Sequence, residues 1–91
     1  MDIKEKVKLA LRISTDKLDE EIEANIEAAK SELIRAGVDW GVVEIGGPLV
    51  ETAIRSFCLS QLANDQKVAE RYENSFKYIE DCLRKSGGEV I

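Results

Sequence analysis

Apolar residues recur along most of this chain at three- and four-residue spacing, which predicts helices and no strands. The breaks fall at Ser14-Thr15-Asp16, Gly37 to Pro48, Asn64-Asp65 and Ser86-Gly87-Gly88, and they divide the chain into four helical segments. The first, Ile3 to Arg12, places Ile3, Val7, Ala10 and Leu11 on one face and leaves Leu9 and Ile13 apolar on another. The second starts at Ser14 or Thr15, whose hydroxyl suits a helix cap, with Ile13 placed to staple against Leu18. Its stripe is Leu18, Ile22, Ile26, Ala29 and Leu33, and Gly37 supplies a left-handed stop after Ala36. Pro48 suits the first position of a third helix, where a missing amide costs nothing. That helix, reaching about Ala63, is apolar nearly all round and leaves Glu51, Thr52, Arg55 and Ser56 as a thin polar strip. Such a helix belongs at the centre of a bundle. Asp65 caps the fourth helix, with the stripe Val68, Tyr72, Phe76, Ile79 and Leu83.

The expected fold is therefore all-α, a small four-helix bundle-like domain over residues 1–86 with a central apolar third helix and a flexible tail at 87–91. At 91 residues, 44% hydrophobic and 34% charged, the chain has the composition of one globular domain, and its modest size makes oligomerisation helpful to stability. No run of about 20 apolar residues offers a membrane span. Met1 to Lys8 lack the continuous apolar stretch of a secretion signal, which implies a cytoplasmic protein. In that compartment Cys58 and Cys82 are expected to stay reduced and to act as small hydrophobes.

The formal charge of −5 is unevenly spread: residues 1–13 carry +2, and residues 14–36 carry −4. Zero histidines remove the commonest general base and metal ligand, and two cysteines cannot close a structural zinc site alone. No phosphate loop or dinucleotide fingerprint is present. Catalytic residues, metal ligands and cofactors are accordingly not expected. The local basic excess of Lys4, Lys6, Lys8 and Arg12 is too small a footprint for sequence-specific DNA binding and reads equally as a solvated face.

Three surfaces remain as candidates. Asp16, Glu20, Glu23 and Glu27 form an acidic stripe opposite the apolar one, either a solvated face or, repeated around a ring, an electronegative channel wall. Ile34 interrupts that outward side. The segment Val38 to Ile45 is apolar for a loop: Trp40, Val43 and Ile45 either fold back over the bundle end or make a subunit contact, for which aromatic anchors are enriched.

The run Val7-Lys8-Leu9-Ala10-Leu11-Arg12-Ile13, leading into Leu18-Asp19-Glu20-Glu21-Ile22-Glu23-Ala24-Asn25-Ile26-Glu27-Ala28-Ala29-Lys30 and Ala36-Gly37-Val38, is followed by Pro48-Leu49-Val50 and by Glu70-Arg71-Tyr72. In this order and spacing, over about residues 3–85, the chain resembles the head-tail connector proteins of long-tailed phages and prophages, also called DNA-packaging connector proteins. The apolar segment Val38 to Ile45 and the short tail depart from the family pattern. The resemblance implies a non-enzymatic virion subunit, made in the host cytoplasm and placed at the head-tail junction. It implies a homo-oligomeric ring, roughly dodecameric, that meets the portal protein on one side and a tail or head-closure protein on the other. DNA would pass through it without sequence-specific binding. Leu9, Ile13, Ile34, Trp40, Val90 and Ile91 are the candidate subunit or portal contacts. A small cytosolic interaction module or regulator using the same helices is the alternative.

Overall fold

The computed structural model describes residues 2–12 and 14–86; Ile13, Val90, Ile91 and the expected tail at 87–91 lie outside the described residues. Among the described residues five helices follow in order: α1 (Ile3–Leu11), α2 (Asp19–Arg35), α3 (Trp40–Ile45), α4 (Pro48–Leu62) and α5 (Gln66–Ser86). The protein is an all-α domain.

Each helix boundary has a local cause. The Asp2 carboxylate accepts the Glu5 amide at 2.8 Å and opens α1. Arg12, with φ of 58°, closes that helix in the left-handed region. The start of α2 corrects the sequence expectation, because neither Ser14 nor Thr15 caps it. Thr15 Oγ1 instead accepts the Lys17 amide two residues on, in a local turn, and the helix starts only at Asp19, with no side-chain cap. Asp19, Glu20 and Glu21 place negative charge in the first turn, where the helix dipole favours it. At the other end the Val38 amide donates to the Leu33 carbonyl and the Gly37 amide to that of Ile34, both at 3.0 Å. This is the paired Schellman closure, and it requires a residue such as Gly37, at φ of 109°, in the left-handed region.

The segment expected as a loop is helical from Trp40 to Ile45. The Asp39 carboxylate accepts the Gly41 amide at 3.2 Å to start α3, and Gly46, at φ of 67°, stops it. Pro48 begins α4 as expected. Asp65 Oδ1 accepts the amides of Lys67, at 2.8 Å, and Val68, at 3.3 Å, and so caps α5.

α4 is the hub. It packs against α5, α2 and α1, burying Val50, Ala53, Ile54, Cys58 and Leu59. From α2 come Ile22, Ala29 and Leu33, and from α5 Phe76, Ile79 and Leu83. Two positions on α4 depart from the simple pattern: Ser56, read as polar strip, is buried, and the apolar Leu49 is exposed. The Phe57 ring is only half-buried and meets Phe76 edge to face, with centroids 5.2 Å apart. Cys58 and Cys82 are thiols with no disulfide between them, and burial pushes the Cys58 thiol up to about 11, so it is a core hydrophobe rather than a nucleophile.

Candidate functional site

The charged surface is organised by α1. Its buried direction runs through Ile3, Val7 and Leu11, with Val7 fully enclosed. Lysines flank that direction on both sides. On one, Lys8 Nζ reaches Asp19 at 2.8 Å and Asp16 at 3.0 Å, while Lys4 Nζ reaches Glu23 at 3.1 Å and Asp19 at 3.5 Å. On the other, Lys6 pairs with Glu51 of α4. The hydrogen bond from Lys8 holds the Asp19 carboxyl below its ordinary range, and the Lys6 hydrogen bond does the same for Glu51. The basic excess of the first segment is therefore used inside the molecule, against the acidic start of α2. The opposite signs of segments 1–13 and 14–36 were the sequence signal for this network, which reading each segment separately missed.

That network redraws the acidic stripe. Glu20, Glu23 and Glu27 are exposed along α2, but Asp16 precedes the helix, in the turn before Asp19, and does not belong to its face. Asp16 and Glu23 are held by Lys8 and Lys4, and Glu27 lies 3.6 Å from Lys30. Glu20 is left as the least compensated member. Repulsion of DNA phosphate from this face is correspondingly weaker than four bare carboxylates would give.

The apolar candidates divide. Within the segment Val38 to Ile45, Val38 and Val43 are buried and Val42 is half-buried, so one side of α3 folds back over the bundle. Its other side faces solvent, with Trp40 63% and Ile45 84% exposed. The fold-back alternative read from the sequence thus holds for Val43, while Trp40 and Ile45 stay on the surface. Ile34 is exposed at 39% and belongs to the last turns of α2, while exposed Leu49 opens α4. Because α3 joins the end of α2 to the start of α4, these four residues share one end of the bundle. Leu9, on α1, and Tyr78, on α5, are exposed elsewhere. Ala10, expected on the buried face of α1, is exposed. Leu49 and Tyr78 escaped the sequence reading. For Tyr78 the signal was available, since two residues beyond Phe76 on a helix is close to the opposite face.

No family model, curated protein or solved structure matches this chain. The site is accordingly built from its own residues. No group of three metal-ligand side chains occurs among the described residues, and no helix among them is long and apolar enough to cross a membrane. This surface carries large exposed apolar side chains on separate faces, set on helices whose own core is already closed.

Proposed function

We propose that this chain is a structural assembly subunit that closes into a ring at a phage head-tail junction, joining portal to tail and leaving a passage for DNA. The observation that carries the reading is the exposed apolar end formed by Ile34, Trp40, Ile45 and Leu49, together with the separate exposed positions Leu9 and Tyr78. A ring contact is heterologous: one surface of a subunit meets a different surface of the next, and the rotation repeats until it closes. Two non-equivalent apolar surfaces are what such a contact needs. A domain that already buries its core gains nothing in isolation from exposing an indole and three aliphatic side chains at one end. The resemblance to head-tail connectors gives the ring its place, its portal partner and its non-enzymatic character. In that ring Glu20 is the α2 residue best suited to face passing DNA, because a carboxylate repels phosphate.

The test is assembly. Light scattering after size-exclusion chromatography, over a concentration series and with the cognate portal, is expected to show the wild type as a ring. Trp40→Glu and Leu9→Glu, both on exposed surface, are expected to keep wild-type circular dichroism and to remain monomeric. A wild type that stays monomeric even on the portal, or variants that assemble as it does, would overturn the proposal.

A further inference from the structure

One polar pair sits in the seam between α2 and α5, apart from the surfaces described so far. The Glu80 Oε2 atom of α5 is buried and meets no hydrogen-bond donor among the described residues. A buried acceptor without a donor is costly, and a native fold rarely keeps one. Across the cleft stands Glu32 of α2, which lines the same cleft as Glu80 and acts on it with its charge. Both Glu32 oxygens are already engaged by Arg35: Nε donates to Oε1 at 3.0 Å and Nη2 to Oε2 at 2.6 Å. That fork fixes Glu32 as the ionised partner.

The surroundings of Glu80 favour the opposite state. Phe57 and Phe76 stand with Glu32 and Glu80 in the lining of a cleft of about 160 Å³. Two carboxylates lining one cleft beside aromatic rings repel, and one of them takes up a proton. The other groups around the seam among the described residues are these. α2 contributes Arg35 beside Glu32, and α5 contributes Arg84 and the Glu73–Lys77 pair, at 3.9 Å. α4 contributes Phe57, Ser60 and Gln61, none of which titrates. The two arginines act to keep Glu80 ionised, but burial first and the Glu32 charge second outweigh them and push its carboxyl up. Glu32 is held down, chiefly by Arg35.

We propose that Glu80 is protonated in the folded chain and donates its hydroxyl to the Glu32 carboxylate, forming a clamp between α2 and α5 that rising pH releases. The protonated carboxyl turns an acceptor that meets no donor into a donor facing a charged acceptor. On release the proton passes to solvent, and two like charges are left facing each other across the seam. The sign follows from linkage. A carboxyl whose folded pKa lies above its unfolded value, about 4.3, adds stability fully present below that value and lost as pH rises through the folded one. The Glu32 shift acts the other way, adding stability above its unfolded pKa that is lost only in acid.

Two measurements test this. Carbon-detected NMR titration of the side-chain carboxyls is expected to give Glu80 a midpoint above the ordinary glutamate range and Glu32 one below it. Thermal unfolding between pH 5 and pH 8 is expected to show the melting temperature of wild type falling relative to Glu80→Gln, whose amide donates to Glu32 at every pH. By pH 8 the variant melts several degrees higher. A Glu80 midpoint at or below the ordinary range, or melting profiles of the two proteins that run parallel, would overturn the clamp.

Discussion

α4 and α1 both pack against α2, but different forces hold them. α4 sinks Val50, Ala53, Ile54, Cys58 and Leu59 into a core shared with α2 and α5, so its attachment grows with apolar area removed from water and is indifferent to charge. α1 encloses Val7 alone, with Ile3 and Leu11 half-buried, and is otherwise tied by Lys4, Lys6 and Lys8 to Asp16, Asp19, Glu23 and Glu51. Ion pairs at this level of exposure contribute little each and weaken with salt and acid. The hub is thus fixed under all mild conditions, and α1 is a strap whose hold depends on solvent.

The largest effect belongs to the hub. Ile54→Ala removes a side chain that is 1% exposed, and a cost of roughly 2–5 kcal/mol is expected, read as a lowered urea midpoint. Phe57→Ala is a finer probe of the same seam. It lies on the helix read as apolar nearly all round, but its ring is half-buried against Phe76. The expected loss is roughly 2 kcal/mol, below the ~3–5 kcal/mol of a fully enclosed Phe. A cost equal to that of Ile54→Ala would erase the distinction between the centre of α4 and its edge.

The smallest effect belongs to the strap. Asp19 and Glu51 have folded pKa values below their unfolded ones, so their contribution is present above the unfolded carboxylate range and is lost as pH falls through the folded values. Hydrogen exchange of α1 amides is expected to accelerate as pH falls below about 4, after correction for the intrinsic rate, while α4 amides keep their protection. Loss of protection in both helices together would mean that α1 and the hub open as one unit.

How much of this was legible in advance varied with the range of the interaction. The stripes of α2 and α5, the Gly37 stop, Pro48 at the head of α4 and the Asp65 cap were all readable, because each depends on residues within a turn or two. The Thr15 turn was misread as a helix cap. The same hydroxyl serves either structure, and nothing local distinguishes them. α3 was hidden because six residues carry too short a period to separate a helical turn from an apolar loop.

The candidate surfaces split along the same line. Ile34 and Trp40 could be nominated because apolar residues were set among polar or turn residues. Which valines of the Val38 to Ile45 segment would fold inward, and that Leu49 would stay out, depended on where α3 lands against α2. The acidic stripe split too: Glu20, Glu23 and Glu27 lie exposed on α2 as read, while Asp16 falls outside the helix. Its charge was read along one helix, whereas its compensation comes from lysines on another.

The sequence by itself determined that this protein is helical, where most of its helices run and which faces are apolar, because hydrophobic period and capping are local physical signals. Only the tertiary structure decided that α1 spends its positive charge on α2 and α4, that Ile45 and Leu49 stay exposed, and that Glu80 and Glu32 line one cleft. Those outcomes rest on contacts between residues far apart in the chain, and the energy of a charge or an apolar group is set by what it meets there.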